Sequence, residues 1–183
     1  MKPCFKEKKT TQAAALLLSL NRGKMNYLKL LKLLYIADRE ALLRYGRPIT
    51  YDNYVSMDYG PVLSQTLNII NGCAMPERSI YWSEFISKPE NYEIKLLKES
   101  PTDELSPREK KLIEEVFRED GAKDQWELVK ITHDLPEWQD PLGSAIPIDY
   151  RDILRAGNKT EGEIADILQS IESLAVTEEI LSE

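Results

Sequence analysis

The chain has 183 residues, 42% hydrophobic and 30% charged, with a formal net charge of −7. This is the balance of a folded globular protein rather than of a disordered or membrane-spanning chain, and the length suits one domain, residues 1–183, better than two. The negative field disfavours nucleic acid as a partner, and Cys4 and Cys73, far apart and without a CxxC pair, signal neither a zinc site nor a disulfide framework and fit a reducing cytoplasm.

Residues 1–9 are expected to be flexible. The run "AAALLLSL" is short for a signal sequence and lacks a cleavage pattern, so it reads as a buried helix, capped by Thr10 or Thr11, running through Leu20 and stopped by Gly23. A second helix is predicted from about Asn26 to Tyr45. Tyr27, Leu30, Leu31, Leu34, Ala37 and Ala41 recur at helical spacing, Leu28, Tyr35 and Leu42 widen the apolar face, and only a strip with Lys29, Lys32 and Arg39 stays polar. A helix so apolar has to be surrounded, which makes it the centre of the fold; the lysines and Asp38 interrupt it too early for a bilayer span.

Gly46 and Pro48 break that helix. "ITYDNYVSMDY" reads as loop or short helix, and "GPV" restarts regular structure with Pro61 in a first helical turn, the helix ending near Gly72. "SIYWSEFI" and "NYEIKLL" are rich in strand-forming residues and are predicted to pair as an antiparallel hairpin across "SKPE". Ser106 and Glu109 form a capping box around Pro107, with Gly121 past the end of the helix. Asp124 starts another helix that stops before Pro136. After the proline-rich connection "PLGSAIPID" come helices over "YRDILRAG" and, from a Thr160/Glu163 capping box, over the acidic tail 158–183. The fold class is therefore mainly α (α+β): a compact helical domain around a central apolar helix, with one small antiparallel β-hairpin.

His133 is the sole histidine. As a general base it would need an orienting carboxylate, and adjacent Asp134 points elsewhere on a helix; as a metal ligand it lacks a second histidine or a nearby cysteine. The structural reading packs it between Trp126 and Trp138, hydrogen-bonded to backbone at the helix end. Asp38 and Glu40, two apart on a helix, share no face for acid–base work, so Asp38 is expected in a salt bridge or a cap. The pair of helices around Asn21–Lys24 could suggest DNA binding, but the second is too apolar to read a groove. No catalytic, cofactor-binding or metal-ligating set emerges.

Four elements, in order, resemble a known family. They are Lys32, Leu33, Leu34 and Tyr35; Gly46, Pro48 and Ile49; Tyr59, Gly60, Pro61 and Val62; and Thr132, His133 and Trp138. Together they are similar to the Panacea or SocA-like antitoxin domain, a phage-associated protein family, over about residues 10–150. The resemblance implies a cytoplasmic antitoxin of a bacterial or phage toxin–antitoxin system, which binds and neutralises a cognate protein toxin encoded beside it. For a SocA-like member it implies instead an adaptor handing the toxin to an AAA+ protease. It also makes architecture or a binding surface, rather than catalysis, the expected role of the Thr132–His133 pair. A metal-dependent hydrolase or a DNA-binding regulator is the alternative from another class. An antitoxin needs an interface of aromatic anchors, and Tyr51, Tyr54, Tyr59, Trp82 and Trp138 are the candidates.

Overall fold

The structure is a computed structural model that describes residues 4–74 and 79–182. Helix α1 (Glu7–Leu20) starts before the expected Thr10 or Thr11 cap; both threonines are buried inside it and bond back to the carbonyls of Lys6 and Glu7. Residues 7–9, expected to be flexible, are thus helical and tethered: Glu7 accepts from the Trp82 amide at 2.7 Å and Lys9 pairs with Glu109 at 2.7 Å. Gly23, at φ +83°, closes the helix as anticipated, its amide reaching the Leu18 carbonyl.

Strand β1 (Lys24–Asn26) leads into the central helix α2 (Tyr27–Tyr45). Asn26 caps it through the amides of Leu28 and Lys29, and Gly46, at φ +69°, ends it in the left-handed conformation. Its buried face includes Leu30, Leu31, Leu33, Leu34, Ala37 and Leu42. The expected polar strip does not survive folding as a solvent face. Lys32 is fully buried, and Lys29 turns its ammonium onto the Gly121 carbonyl at 2.6 Å.

The segment taken for loop or short helix is strand β2 (Tyr54–Met57), and "GPV" belongs to strand β3 (Gly60–Leu63) rather than to a first helical turn. The two form the hairpin of the fold, Tyr54 opposite Leu63 and Met57 opposite Gly60. Helix α3 (Ser64–Ile70) follows. Its N-terminus is capped from a distance by buried Asp52, which accepts the amides of Gln65 and Thr66 and the Thr66 hydroxyl.

The hairpin expected over residues 79–97 is corrected. Ile80–Phe85 is a helix, α4, because Trp82, Phe85 and Ile86 fall three and four apart and all reach the core, while Tyr81 packs on Phe85 at 4.8 Å. Core burial outweighs strand propensity there. The two segments still meet through isolated antiparallel bridges of Ile86 to Leu96 and Glu90 to Glu93, with the Leu97 amide donating to the Phe85 carbonyl, while strand β4 (Glu93–Lys95) pairs antiparallel with β1.

Helix α5 (Pro107–Asp120) carries the predicted Ser106/Glu109 capping box, and helix α6 (Gln125–His133) starts from Asp124 as expected, with Glu127 completing a capping box there. The proline-rich connection contains strand β5 (Ile146–Ile148), which pairs antiparallel with β2 and gives a three-stranded sheet ordered β3-β2-β5. Helices α7 (Tyr150–Ala156) and α8 (Glu161–Ser182) finish the chain, and Ile164, Ile171 and Ala175 of the acidic tail are buried against the body. One hydrophobic cluster runs from Ala13 in α1 to Ile171 in α8. No helix among the described residues is long and apolar enough to cross a membrane.

Candidate functional site

The family-motif residues, scattered over a hundred positions, converge along one side of α2. Lys32 projects from the helix toward the hairpin, and its ammonium donates to the Pro61 carbonyl at 2.7 Å. Burial pushes its pKa down to about 7. Gly60 lies beside it at φ +88°, and a Cβ built there would stand 2.7 Å from Thr132 Oγ1, 3.0 Å from Lys32 Nζ and 3.2 Å from His133 Cδ2. Only glycine allows the hairpin and α6 to approach so closely around an amine.

Thr132 is buried and returns its hydroxyl to the carbonyls of Leu128 and Val129. His133 stacks on Trp138, with ring centroids 4.0 Å apart and planes at 20°, and its buried Nε2 has no hydrogen-bond partner. No backbone group among the described residues bonds to that nitrogen. Trp126, the other expected neighbour, instead meets Tyr59 edge-on at 5.5 Å on the surface. Trp138 bridges to the hairpin, its indole N–H donating to the Met57 carbonyl at 3.2 Å.

One turn along α2, Tyr35 and Arg39 converge on Glu137, a residue absent from the expected sites. Its buried carboxylate accepts the Tyr35 hydroxyl at 3.0 Å and Arg39 Nε at 2.6 Å. Burial, followed by the Glu137 charge, raises the Tyr35 pKa well above the usual phenol value. The available signal was a carboxylate set between Pro136 and Trp138 and an arginine on the mostly apolar central helix.

Among the described residues Asp38 makes no salt bridge and caps no helix. It accepts the amides of Ile49 and Thr50 and the hydroxyls of Thr50 and Tyr54, and so holds the chain that leaves α2 through Gly46 and Pro48. Burial lifts its pKa to about 6 against the pull of those four donors. With both oxygens so engaged, Asp38 is a staple for the chain after α2. Among the described residues, no three of His, Cys, Asp or Glu gather to hold a metal ion.

The aromatic candidates separate by exposure. Tyr54 and Trp82 are core residues, Tyr54 packing edge-on against Tyr35 at 5.5 Å; neither is open to a partner, which corrects their assignment as anchors. Tyr51, at φ +53°, is partly buried against the core, and Trp138 is partly covered by its stack. Tyr59, at the hairpin tip, is largely exposed. Leu34 and Val62 are buried in the packing of α2 and β3.

The seam thus joins α2, the hairpin and the end of α6, the same segments that carry the sequence motif. A family model described as antitoxin SocA-like, Panacea domain, matches residues 30–139. No curated protein and no solved structure matches the chain. The matched stretch covers more than half of the sequence and contains every motif residue of the seam, and the chain belongs to the SocA-like antitoxin family with its Panacea domain.

Proposed function

We propose that the protein is an antitoxin that binds and neutralises a cognate protein toxin, encoded beside it, by forming a stoichiometric complex. The family match over residues 30–139 carries this reading. The geometry supports it, because the motif residues act on one another: Lys32, Gly60, Pro61, Thr132 and His133 fasten the hairpin to α2 and α6 while Tyr59 stays at its tip. Such a seam makes a rigid platform for side chains at the surface, as an interface requires.

Co-expression with the adjacent reading frame tests the proposal through growth rescue and co-purification. Rescue with a stable complex is the expected result. Rescue that disappears in a host lacking its AAA+ proteases, with the complex still forming, would replace blocking by protease delivery. Absence of both rescue and complex would refute the antitoxin reading.

A further inference from the structure

A groove of about 550 Å³ opens between the N-terminus of α2, the β2–β3 turn and the first turn of α6. Its floor is apolar, with Leu31 and Val62 buried beneath half-buried Leu28 and Met57. Its walls are aromatic and open to solvent: Tyr59 is 57% exposed, Trp126 54% and Tyr92 71%. Leu142, next to the lining Gly143, is 88% exposed. Exposed apolar side chains gathered around one concavity, rather than scattered singly, mark an interaction surface.

The walls are also held in place. Tyr59 and Trp126 brace each other edge to face, and Tyr27 stacks on Tyr92 at 6.3 Å. The Leu142 loop is fixed by the Gly143 amide donating to Asp58 at 3.0 Å. Preorganised aromatic walls lose little side-chain entropy on binding.

The charge around the groove has one dominant sign. Asp58 lines it, Asp124 and Glu127 lie at the start of the helix bearing Trp126, and Asp140 precedes the Leu142 loop. Lys130 is the single exposed cation of α6, and half-buried Lys29 of α2 donates to the Gly121 carbonyl and lies in the field of Asp124 and Glu127, which leaves Asp58 and Asp140 as the carboxylates without a nearby lysine of α2. An acidic rim around an apolar floor, on a chain of net charge −7, complements a segment with a large apolar side chain flanked by lysine or arginine.

We infer that this groove is the toxin-docking surface and that it takes a basic, apolar-anchored segment of the toxin. The inference rests on the antitoxin reading above and names its contact site and the chemistry of its partner. Tyr59 and Trp126 are the anchors on this side, and the acidic rim steers the approach.

The test uses the full chain and the purified product of the adjacent reading frame, with Tyr59→Ser, Trp126→Ala and, as an exposed control away from the groove, Leu97→Ser. Each groove variant should keep its melting temperature, weaken Kd about tenfold or more and lose growth rescue, while Leu97→Ser binds like the parent. Parent affinity should also fall as salt rises. Rescue by the parent together with unchanged binding of the Tyr59→Ser/Trp126→Ala double variant would overturn the docking site and leave the antitoxin reading intact. If the parent sediments as a dimer and the double variant as a monomer with undiminished toxin binding, the groove is a self-association surface and the inference fails. A parent that binds no product of the adjacent frame fails the antitoxin reading and this inference together.

Discussion

The Lys32 ammonium and the Pro61 carbonyl, 2.7 Å apart, join the middle of the central helix to the hairpin in a place without solvent access. An amine whose folded pKa lies near 7, below its ordinary 10.5, holds its proton more weakly in the fold than in the unfolded chain. Its contribution to stability is therefore complete above about pH 10.5 and is lost as pH falls toward 7. Lys32→Met removes this titration. Urea unfolding of the two proteins between about pH 7 and 9.5 should show the parent losing stability relative to Lys32→Met as pH falls, and the variant at least equal to the parent at pH 7. Parallel pH profiles would refute a buried titrating amine.

Gly60 and Gly143 share positive φ, +88° and +80°, but only Gly60 is enclosed; a Cβ at Gly143 meets nothing within 4 Å. Gly143→Ala should cost about 1–2 kcal/mol, the backbone cost of the left-handed region. Gly60→Ala carries that cost and drives a methyl into Thr132, Lys32 and His133, so it should lose about 2 kcal/mol more. Equal losses in chemical denaturation would mean that the approach of hairpin to α6 is looser than described.

His133 contributes a stacked ring, and its buried Nε2 has no hydrogen-bond partner among the described residues. His133→Phe keeps the stack and removes an unsatisfied polar atom, so stability should hold or rise by up to about 1 kcal/mol. His133→Ala opens a gap under Trp138 and should lose about 2 kcal/mol. Calorimetric melting of both variants distinguishes packing from polar function: a strong loss on His133→Phe would show that the imidazole nitrogen, not the ring, is what matters.

Asp38 separates two kinds of loss. Asp38→Asn retains one oxygen for the amides of Ile49 and Thr50 and turns its NH₂ toward the Thr50 and Tyr54 hydroxyls, which can rotate to accept; the cost should be about 1–2 kcal/mol. Asp38→Ala strands all four donors and should cost about 3–5 kcal/mol. Equilibrium unfolding in which Asn was as damaging as Ala would mean that the negative charge itself, rather than acceptor geometry, holds the chain after Gly46.

Leu34 is 1% exposed in the middle of α2, so Leu34→Ala should lose about 2–5 kcal/mol, read as a lower urea midpoint at unchanged slope. A change in slope would point to a less compact unfolded or native state.

Much of the molecule was legible in local chemistry. Caps act within a few residues, so the Ser106/Glu109 and Thr160/Glu163 pairs, Asp124 and the Gly23 and Gly46 stops marked their helix ends, and the apolar periodicity of residues 27–42 identified the helix that the others surround. The order of the motifs likewise pointed to the antitoxin family. What tertiary structure decided was every question of partner. Strand-prone "SIYWSEF" became a helix because Trp82 and Phe85 had a core to enter, and Glu93–Lys95 found its strand partner some seventy residues earlier in the chain. Lys32 looked like part of a solvated strip, since a lysine on an apolar helix usually reaches water; here Pro61 offers a carbonyl and the hairpin closes over it. Exposure was equally hidden. Tyr54 and Trp82 went inside while Tyr59 and Trp126 stayed out, because burial depends on which surfaces the fold brings together, and a single strand or helix does not carry that information.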